Sequence, residues 1–216
     1  MKHKGIIDVL EGSALSEELI FDLAHYAKDA ALRGGKVLKD NYGKILDIKN
    51  KGRVGDLVTN VDTEAEELII KYLQEVTPEI GIIAEESGKK IGDSKMDWCI
   101  DPLDGTTNYA HGYPFFATSI GFLLDNRPIL GAIYVPFFDE MYLGIPYKGS
   151  FCNNKKIQVS NCTDIKDSLL VTGFAYDRHT KVDNNYAEFC HMTHLSRGVR
   201  RAGAAAVDLC YVACGR

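Results

Sequence analysis

The sequence predicts an α+β fold on three observations. Apolar residues recur at helical spacing over residues 16–42, and a second helical segment follows before residue 78. Downstream, short strand-like runs are separated by turn-forming clusters, the pattern of an antiparallel meander rather than of repeated strand-helix-strand crossovers. The composition is globular: of 216 residues, 45% are hydrophobic and 25% charged, enough to build a sizeable core. Disordered, collagen-like and coiled-coil classes are thereby excluded.

Ser16 to Tyr42 reads as one amphipathic helix, with Ile20, Leu23, Ala24, Ala27, Ala31, Gly34, Val37 and Leu38 on its apolar face. Ser16 caps it, Glu17 and Glu18 favour its first turn, and Gly43 stops it. A short strand is expected around Ile45 to Lys49, and a loop over Lys51 to Val61. Thr63-Glu64-Ala65-Glu66 has the form of a capping box and is expected to open a second helix that ends before Pro78. Ile80 to Ala84 and Trp98 to Ile100 are short apolar runs. Phe116 to Leu124, Ile129 to Val135 and Met141 to Ile145 are strand-like, and Asn153-Asn154 reads as a hairpin turn. Leu169 to Phe174 is one more strand, Asn184 to His194 a helix, and Ala204 to Ala213 a short apolar helix stopped by Gly215. A boundary within Lys155 to Thr163 divides the chain into residues 1–157 and 158–216.

Charge and targeting signals narrow the function. Lys and Arg number 25 against 30 Asp and Glu, a formal charge of −5. Such a surface attracts neither nucleic acid nor an anionic membrane, though a local basic pocket for a small anion remains open. No run approaches the roughly 20 apolar residues of a spanning helix. Asp8 and Glu11 interrupt the N-terminal segment, so no secretory signal is expected and the location expected is cytoplasmic. None of the six cysteines falls in a Cys-x-x-Cys pair, which points to buried thiols in a reducing compartment. Cys190-His191-Met192-Thr193-His194 lacks a fourth ligand and reads as a polar helix face. Arg197, Arg200 and Arg201 could reach a phosphate or a dimer partner, or form a solvated turn.

The chemistry lies in three acidic clusters, Gly55-Asp-Leu-Val-Thr-Asn-Val-Asp62, Ile82-Ile-Ala-Glu-Glu-Ser-Gly88 and Trp98-Cys-Ile-Asp-Pro-Leu-Asp-Gly-Thr-Thr-Asn108. The last two follow directly on predicted strands, and carboxylates at strand ends can converge on one crevice. Converging carboxylates repel, and a hard divalent cation such as Mg²⁺, which takes oxygen ligands and keeps water for a phosphate, relieves the repulsion. Asp101 and Asp104 are separated by Pro102, a turn that points both side chains one way and leaves the Leu103 carbonyl as a further oxygen ligand. Gly105-Thr106-Thr107 offers consecutive backbone N–H groups at an expected helix start, an anion cradle. Cation, cradle and hydroxyl together describe metal-assisted attack of water on a phosphate ester. Taken singly, Asp62 could be only the neighbour of a cap and Glu85-Glu86 only a solvated turn. Covalent aspartyl-phosphate phosphatases carry Asp-x-Asp-Gly-Thr, with the acids two apart; Asp101 and Asp104 do not follow that spacing.

These strings, with Gly203-Ala-Ala-Ala-Val-Asp-Leu-Cys-Tyr-Val-Ala213, resemble the inositol monophosphatases, within the lithium-sensitive, magnesium-dependent sugar phosphatases. The resemblance runs from Ser16 onward, and Arg197-Gly-Val-Arg-Arg201 is similar to the cyanobacterial and plant-plastid branch. It implies a layered α-β-α-β-α sandwich, a homodimer, and hydrolysis of a small phosphorylated polyol such as inositol monophosphate. By that likeness Glu85, Asp101 and the Leu103 carbonyl hold one Mg²⁺; Asp101 and Asp104 hold a second; Glu85 helps hold a third. Asp62 and Thr106 form the pair that takes the water proton, Gly105 and Thr106 amides bind phosphate, and Gly203 and Ala205 line the sugar pocket beside Asp104. Fructose 1,6-bisphosphate, histidinol phosphate and 3′-phosphoadenosine 5′-phosphate are the alternative substrates. A non-catalytic binding protein of the same fold is the alternative of another class. The family pattern continues past Gly215-Arg216 with a glutamate for sugar hydroxyls and a Trp-Asp-x-Ala-Gly motif. The sandwich is therefore expected to be C-terminally incomplete, either as a fragment or as a natural truncation of impaired activity.

Overall fold

Ser16 accepts the Leu19 amide on its hydroxyl, and helix α1 (Glu17–Asn41) starts there as the capping pattern predicts. In the computed structural model, which describes residues 10, 15–44, 48–50, 57–88, 90–92 and 95–216, α1 ends at Asn41, and Gly43 just beyond its cap Tyr42 is in the left-handed region, φ +78°. Its predicted apolar face is its buried face, from Ile20 to Leu38. A Cβ on Gly34 would lie 2.6 Å from Ile69 Cδ1 and 2.9 Å from Thr118 Cγ2, so α1 approaches its neighbours too closely there for a methyl group.

Strands β1 (Ile48–Asn50) and β2 (Leu57–Thr59) form a small antiparallel ladder. The loop expected over 51–61 is thus a strand and the first helical residues at 57–61. Residues 45–47 and 51–56, with Gly52, Gly55 and Asp56, lie outside the described residues. Helix α2 (Asn60–Val76) starts earlier than predicted: its capping box is Thr59 with Asp62, not Thr63 with Glu66. Thr77 follows, so the helix ends before Pro78 as expected.

Eight further strands make the main sheet: β3 (Gly81–Ala84), β4 (Lys90–Ile91), β5 (Met96–Asp104), β6 (Ala117–Leu124), β7 (Arg127–Val135), β8 (Glu140–Ile145), β9 (Gly149–Cys152) and β10 (Lys155–Lys156). Their spatial order is β10-β9-β8-β7-β6-β5-β3-β4. From β5 to β10 this is the predicted meander. Its hairpin turns at Asp125-Asn126 and Asn153-Asn154 sit at positive φ, where short polar residues are tolerated. The pairing of β3 with β5 is parallel, a crossover that the strand reading did not include.

One sheet face carries α1 and α2 over Trp98, Ile100, Ile120 and Phe122, the main core. On the opposite face Val207 and Cys210 of α5 (Ala205–Ala213) pack on Ala117, Val135 and Tyr142. Short helix α3 (Thr106–Ala110) follows β5 directly. Strands β11 (Leu169–Val171) and β12 (Gly198–Arg200) pair in parallel, again a crossover, with α4 (Tyr186–Leu195) between them in sequence. Phe174 meets Tyr186 at a tilt and Phe189 edge-on, seating α4. Helices, sheet, helix, small sheet and helix succeed one another, the α-β-α-β-α sandwich. Among the described residues no helix is long and apolar enough to cross a membrane. The thiols depart from expectation: Cys210 is buried, but Cys99, Cys162 and Cys190 are exposed.

Candidate active site

In β5, Asp101 stands opposite Ser119 and Asp104 opposite Ala117, so three steps on one strand face two on the other. Side chains three apart in a regular strand point to opposite faces; the extra residue of this β-bulge returns Asp104 to the side of Asp101. The predicted turn at Pro102 is therefore a bulge inside a continuous strand. Its backbone is held: the Leu103 amide donates to Asp101 Oδ1 at 3.1 Å, and Thr118 Oγ1 donates to the Pro102 carbonyl at 2.9 Å.

Glu85 lies just past the end of β3, beside β5 because those strands are paired in parallel, and its amide donates to the Ile100 carbonyl at 3.2 Å. The register that pairs Ala84 with Ile100 brings Glu85 level with Asp101. Burial, then the charges of Glu85 and Asp104, push the Asp101 carboxyl far above the usual carboxylate range. Asp104 turns toward α5, where Oδ2 accepts from the Ala206 amide at 2.7 Å and Oδ1 from Ala205 at 3.2 Å. Burial pushes Asp104 up to about 6, although these amides favour its charged form. It thus sits at the positive end of a nine-residue helix.

Asp62 is fully buried at the third residue of α2. Its Oδ2 accepts from the Thr59 amide at 2.9 Å and the Thr59 hydroxyl at 2.5 Å. Its Oδ1 faces Thr106 Oγ1 at 3.1 Å. Burial raises its pKa, and the hydrogen bonds from Thr59 and Thr106 oppose the rise. Thr106 Oγ1 is also 3.0 Å from the Leu103 carbonyl, so one hydroxyl proton chooses between two acceptors. Gly105, between Asp104 and Thr106, has φ +91°, and a Cβ there would stand 3.0 Å from the Phe115 carbonyl and 3.1 Å from Ala204 Cβ. Glycine is required for both reasons.

Gly203, Ala204 and Ala205 line a cavity of 390 Å³ with Asp104, Arg201 and Asp208. The structure thus brings Asp62 to Thr106, Glu85 to Asp101, and Asp104 to Gly203 and Ala205. Among the described residues, no three His, Cys, Asp or Glu side chains gather tightly enough to enclose an ion alone. The donor chemistry nevertheless fits a hard cation: the Asp101 and Asp104 carboxyls on the bulge, the Leu103 carbonyl between them and the Glu85 carboxyl past the neighbouring strand are oxygen donors that a divalent ion would hold together.

Three residues were missed by sequence reasoning. Glu66, read as part of a cap, is buried and binds the backbone after Glu85. Asn108 spans from α3 to the Ala202 carbonyl. Asp208, the one charged residue in an otherwise apolar helix, is pushed up to about 6 by burial and Asp104 against the pull of Arg201. That isolated charge was the available signal.

Comparison with known proteins gives the class, a phosphoric monoester hydrolase. A profile described as inositol monophosphatase family matches residues 22–216. An inositol-1-monophosphatase of Synechocystis is 48% identical over 192 residues, covering 88% of this chain and 67% of the relative. A fructose-1,6-bisphosphatase/inositol-1-monophosphatase of Aquifex aeolicus is 40% identical, covering 88% of this chain and 72% of the relative. The solved inositol monophosphatase of Anabaena superposes with a TM-score of 0.81 at 46% identity, covering 90% of this chain and 72% of that one. The chain belongs to the inositol monophosphatase family, whose members are phosphoric monoester hydrolases.

Proposed function

We propose that the protein hydrolyses inositol monophosphate to inositol and phosphate, with Mg²⁺ held by Glu85, Asp101, the Leu103 carbonyl and Asp104. The observation that carries this reading is the β5 bulge, which sets Asp101 and Asp104 on one side, with Glu85 level with Asp101 past the neighbouring strand. When bound, Mg²⁺ would neutralise phosphate charge and make water more acidic. The residues supply the rest. Thr106 Oγ1 accepts a proton from the attacking water as it passes its own to Asp62 Oδ1, 3.1 Å away. Burial makes Asp62 more basic than a solvated aspartate and so a better final acceptor. The Gly105 and Thr106 amides bind the phosphate. Asp104, Gly203 and Ala205 hold the ring hydroxyls in the 390 Å³ cavity. Water attacks directly, so no aspartyl-phosphate forms.

In this reading the protein is a cytoplasmic homodimer, neither nucleic-acid-binding nor membrane-bound, with units at 1–157 and 158–216. The double name of the Aquifex relative gives fructose 1,6-bisphosphate as the second candidate substrate. The test is phosphate release, with Mg²⁺, from inositol 1-phosphate, fructose 1,6-bisphosphate, histidinol phosphate and 3′-phosphoadenosine 5′-phosphate. The highest kcat/KM is expected for inositol 1-phosphate. A higher value for another ester would replace the substrate, and release from none would favour a binding protein.

A further inference from the structure

Glu66 is a buried carboxylate, 3% exposed, on α2 one turn beyond Asp62. No ionic partner is needed to explain its position. Its two oxygens accept from two successive amides of the turn after β3: Glu86 N to Oε2 at 2.7 Å and Ser87 N to Oε1 at 2.9 Å. Hydrogen bonds from amides to a carboxylate are of the stronger, charge-assisted kind. The Glu86 amide belongs to the same peptide unit as the Glu85 carbonyl. The amide of Glu85 itself is tied to the Ile100 carbonyl in β5. Both peptide units flanking the Glu85 Cα are therefore fixed, one by the sheet and one by Glu66.

We infer that Glu66 is a positioning residue, holding Glu85 against Asp101 and thereby setting the affinity of the site for a divalent cation. The inference rests on the metal-site reading proposed above. It also gives α2 a specific task. At positions four apart on its buried face, Asp62 orients the Thr106 hydroxyl and Glu66 orients the Glu85 turn, so one rigid helix sets the proton acceptor and the cation donors in common register. A glutamine at 66 has the same size but only one acceptor oxygen, and its NH₂ would face an amide N–H. Outer residues of this kind commonly govern metal affinity by ten- to a hundredfold.

The test is calorimetric titration of the protein with Mg²⁺ alone, without substrate, on wild type, Glu66→Gln and Ile69→Val. Ile69 is a buried core residue of α2 whose truncation by one methylene also destabilises, without touching the turn. The expected result is Mg²⁺ binding weakened roughly tenfold or more in Glu66→Gln, and unchanged within twofold in Ile69→Val. Equal affinity in wild type and Glu66→Gln, or equal weakening in both variants, would overturn the positioning role and leave the metal site standing. Absence of Mg²⁺ binding by wild type would instead overturn the metal-site reading, and this inference with it. A measurement on wild type alone covers the case in which Glu66→Gln does not fold. By reciprocity of linkage, saturating Mg²⁺ should slow hydrogen exchange at the Glu86 and Ser87 amides, and unchanged exchange there contradicts the coupling.

Discussion

The Asn108 side-chain amide donates to the Ala202 carbonyl at 2.9 Å, a bond between residues 94 apart in sequence. The same nitrogen donates to the Phe115 carbonyl at 2.7 Å. Asn108 thus fastens the approach to α5 onto the segment after β5, and a Cβ on Gly203 would stand 3.2 Å from Asn108 Oδ1. Asn108→Ala should loosen the wall carrying Gly203 and Ala205. Two neutral hydrogen bonds are worth about 1 kcal/mol each. The expected outcome in steady-state kinetics is KM for inositol 1-phosphate raised about tenfold, with kcat within a few-fold. A fall in kcat at constant KM would place Asn108 with the reacting groups instead.

Thr106→Ala removes the hydroxyl between water and Asp62, and kcat should fall roughly 10²-fold, the usual order for an acid–base participant. Thr106→Ser, which keeps the hydroxyl, should recover most of it. Mass spectrometry of the quenched wild-type reaction should find no phosphate on Asp101. An unchanged rate in Thr106→Ala would remove the Asp62–Thr106 pair from the mechanism.

The crowded carboxyls also predict how the metal-free protein responds to pH. Asp104 is raised from 3.8 to about 6, and Asp101 is raised as well. A carboxyl raised on folding contributes stability below its unfolded value and loses it as pH climbs through the folded one. In EDTA, Tm should therefore fall as pH rises from about 5 to 7.5, Asp104 contributing on the order of 1 kcal/mol to the loss, mostly below about pH 6.5, and Asp101 the rest. Asp101→Asn should flatten that slope, and Mg²⁺, which favours the ionised forms, should oppose it. Glu140, held below its usual range by Arg216, acts oppositely and only at lower pH. A metal-free Tm that climbs through the same range would contradict the crowding.

Much of this site was legible because its chemistry is concentrated in short strings. Asp101, Asp104 and Thr106 sit within one such string, and the likeness carried Glu85, Asp62 and Gly203 with it. The long helix and the meander were legible from periodicity and from Ser16, Asn126 and Asn153. What failed had no local signal. Thr59-x-x-Asp62 and Thr63-x-x-Glu66 are consecutive boxes of the same kind, and only tertiary contacts choose between them. The first caps the helix, while Glu66 of the second is held by the amides of Glu86 and Ser87, 20 and 21 residues away. Short apolar runs such as Gly81–Ala84 carry no direction, so the parallel pairing of β3 with β5 was hidden. The bulge was hidden too, since register is a relation between strands, and the spacing of Asp101 and Asp104 suggested a turn instead.

If Asp101 and its neighbours hold the cation that drives phosphate release, removing either the cation or Asp101 must stop or slow it. The most direct measurement is the rate of phosphate release from inositol 1-phosphate across a Mg²⁺ titration, for wild type and Asp101→Asn. Wild type should release no phosphate in EDTA and should be activated saturably by Mg²⁺. At saturation Asp101→Asn should be slower by roughly 10²- to 10³-fold, the equivalent of several kcal/mol of charge stabilisation. Release by wild type that is equally fast in EDTA, or an Asp101→Asn variant with the wild-type Mg²⁺ response, would contradict this reading.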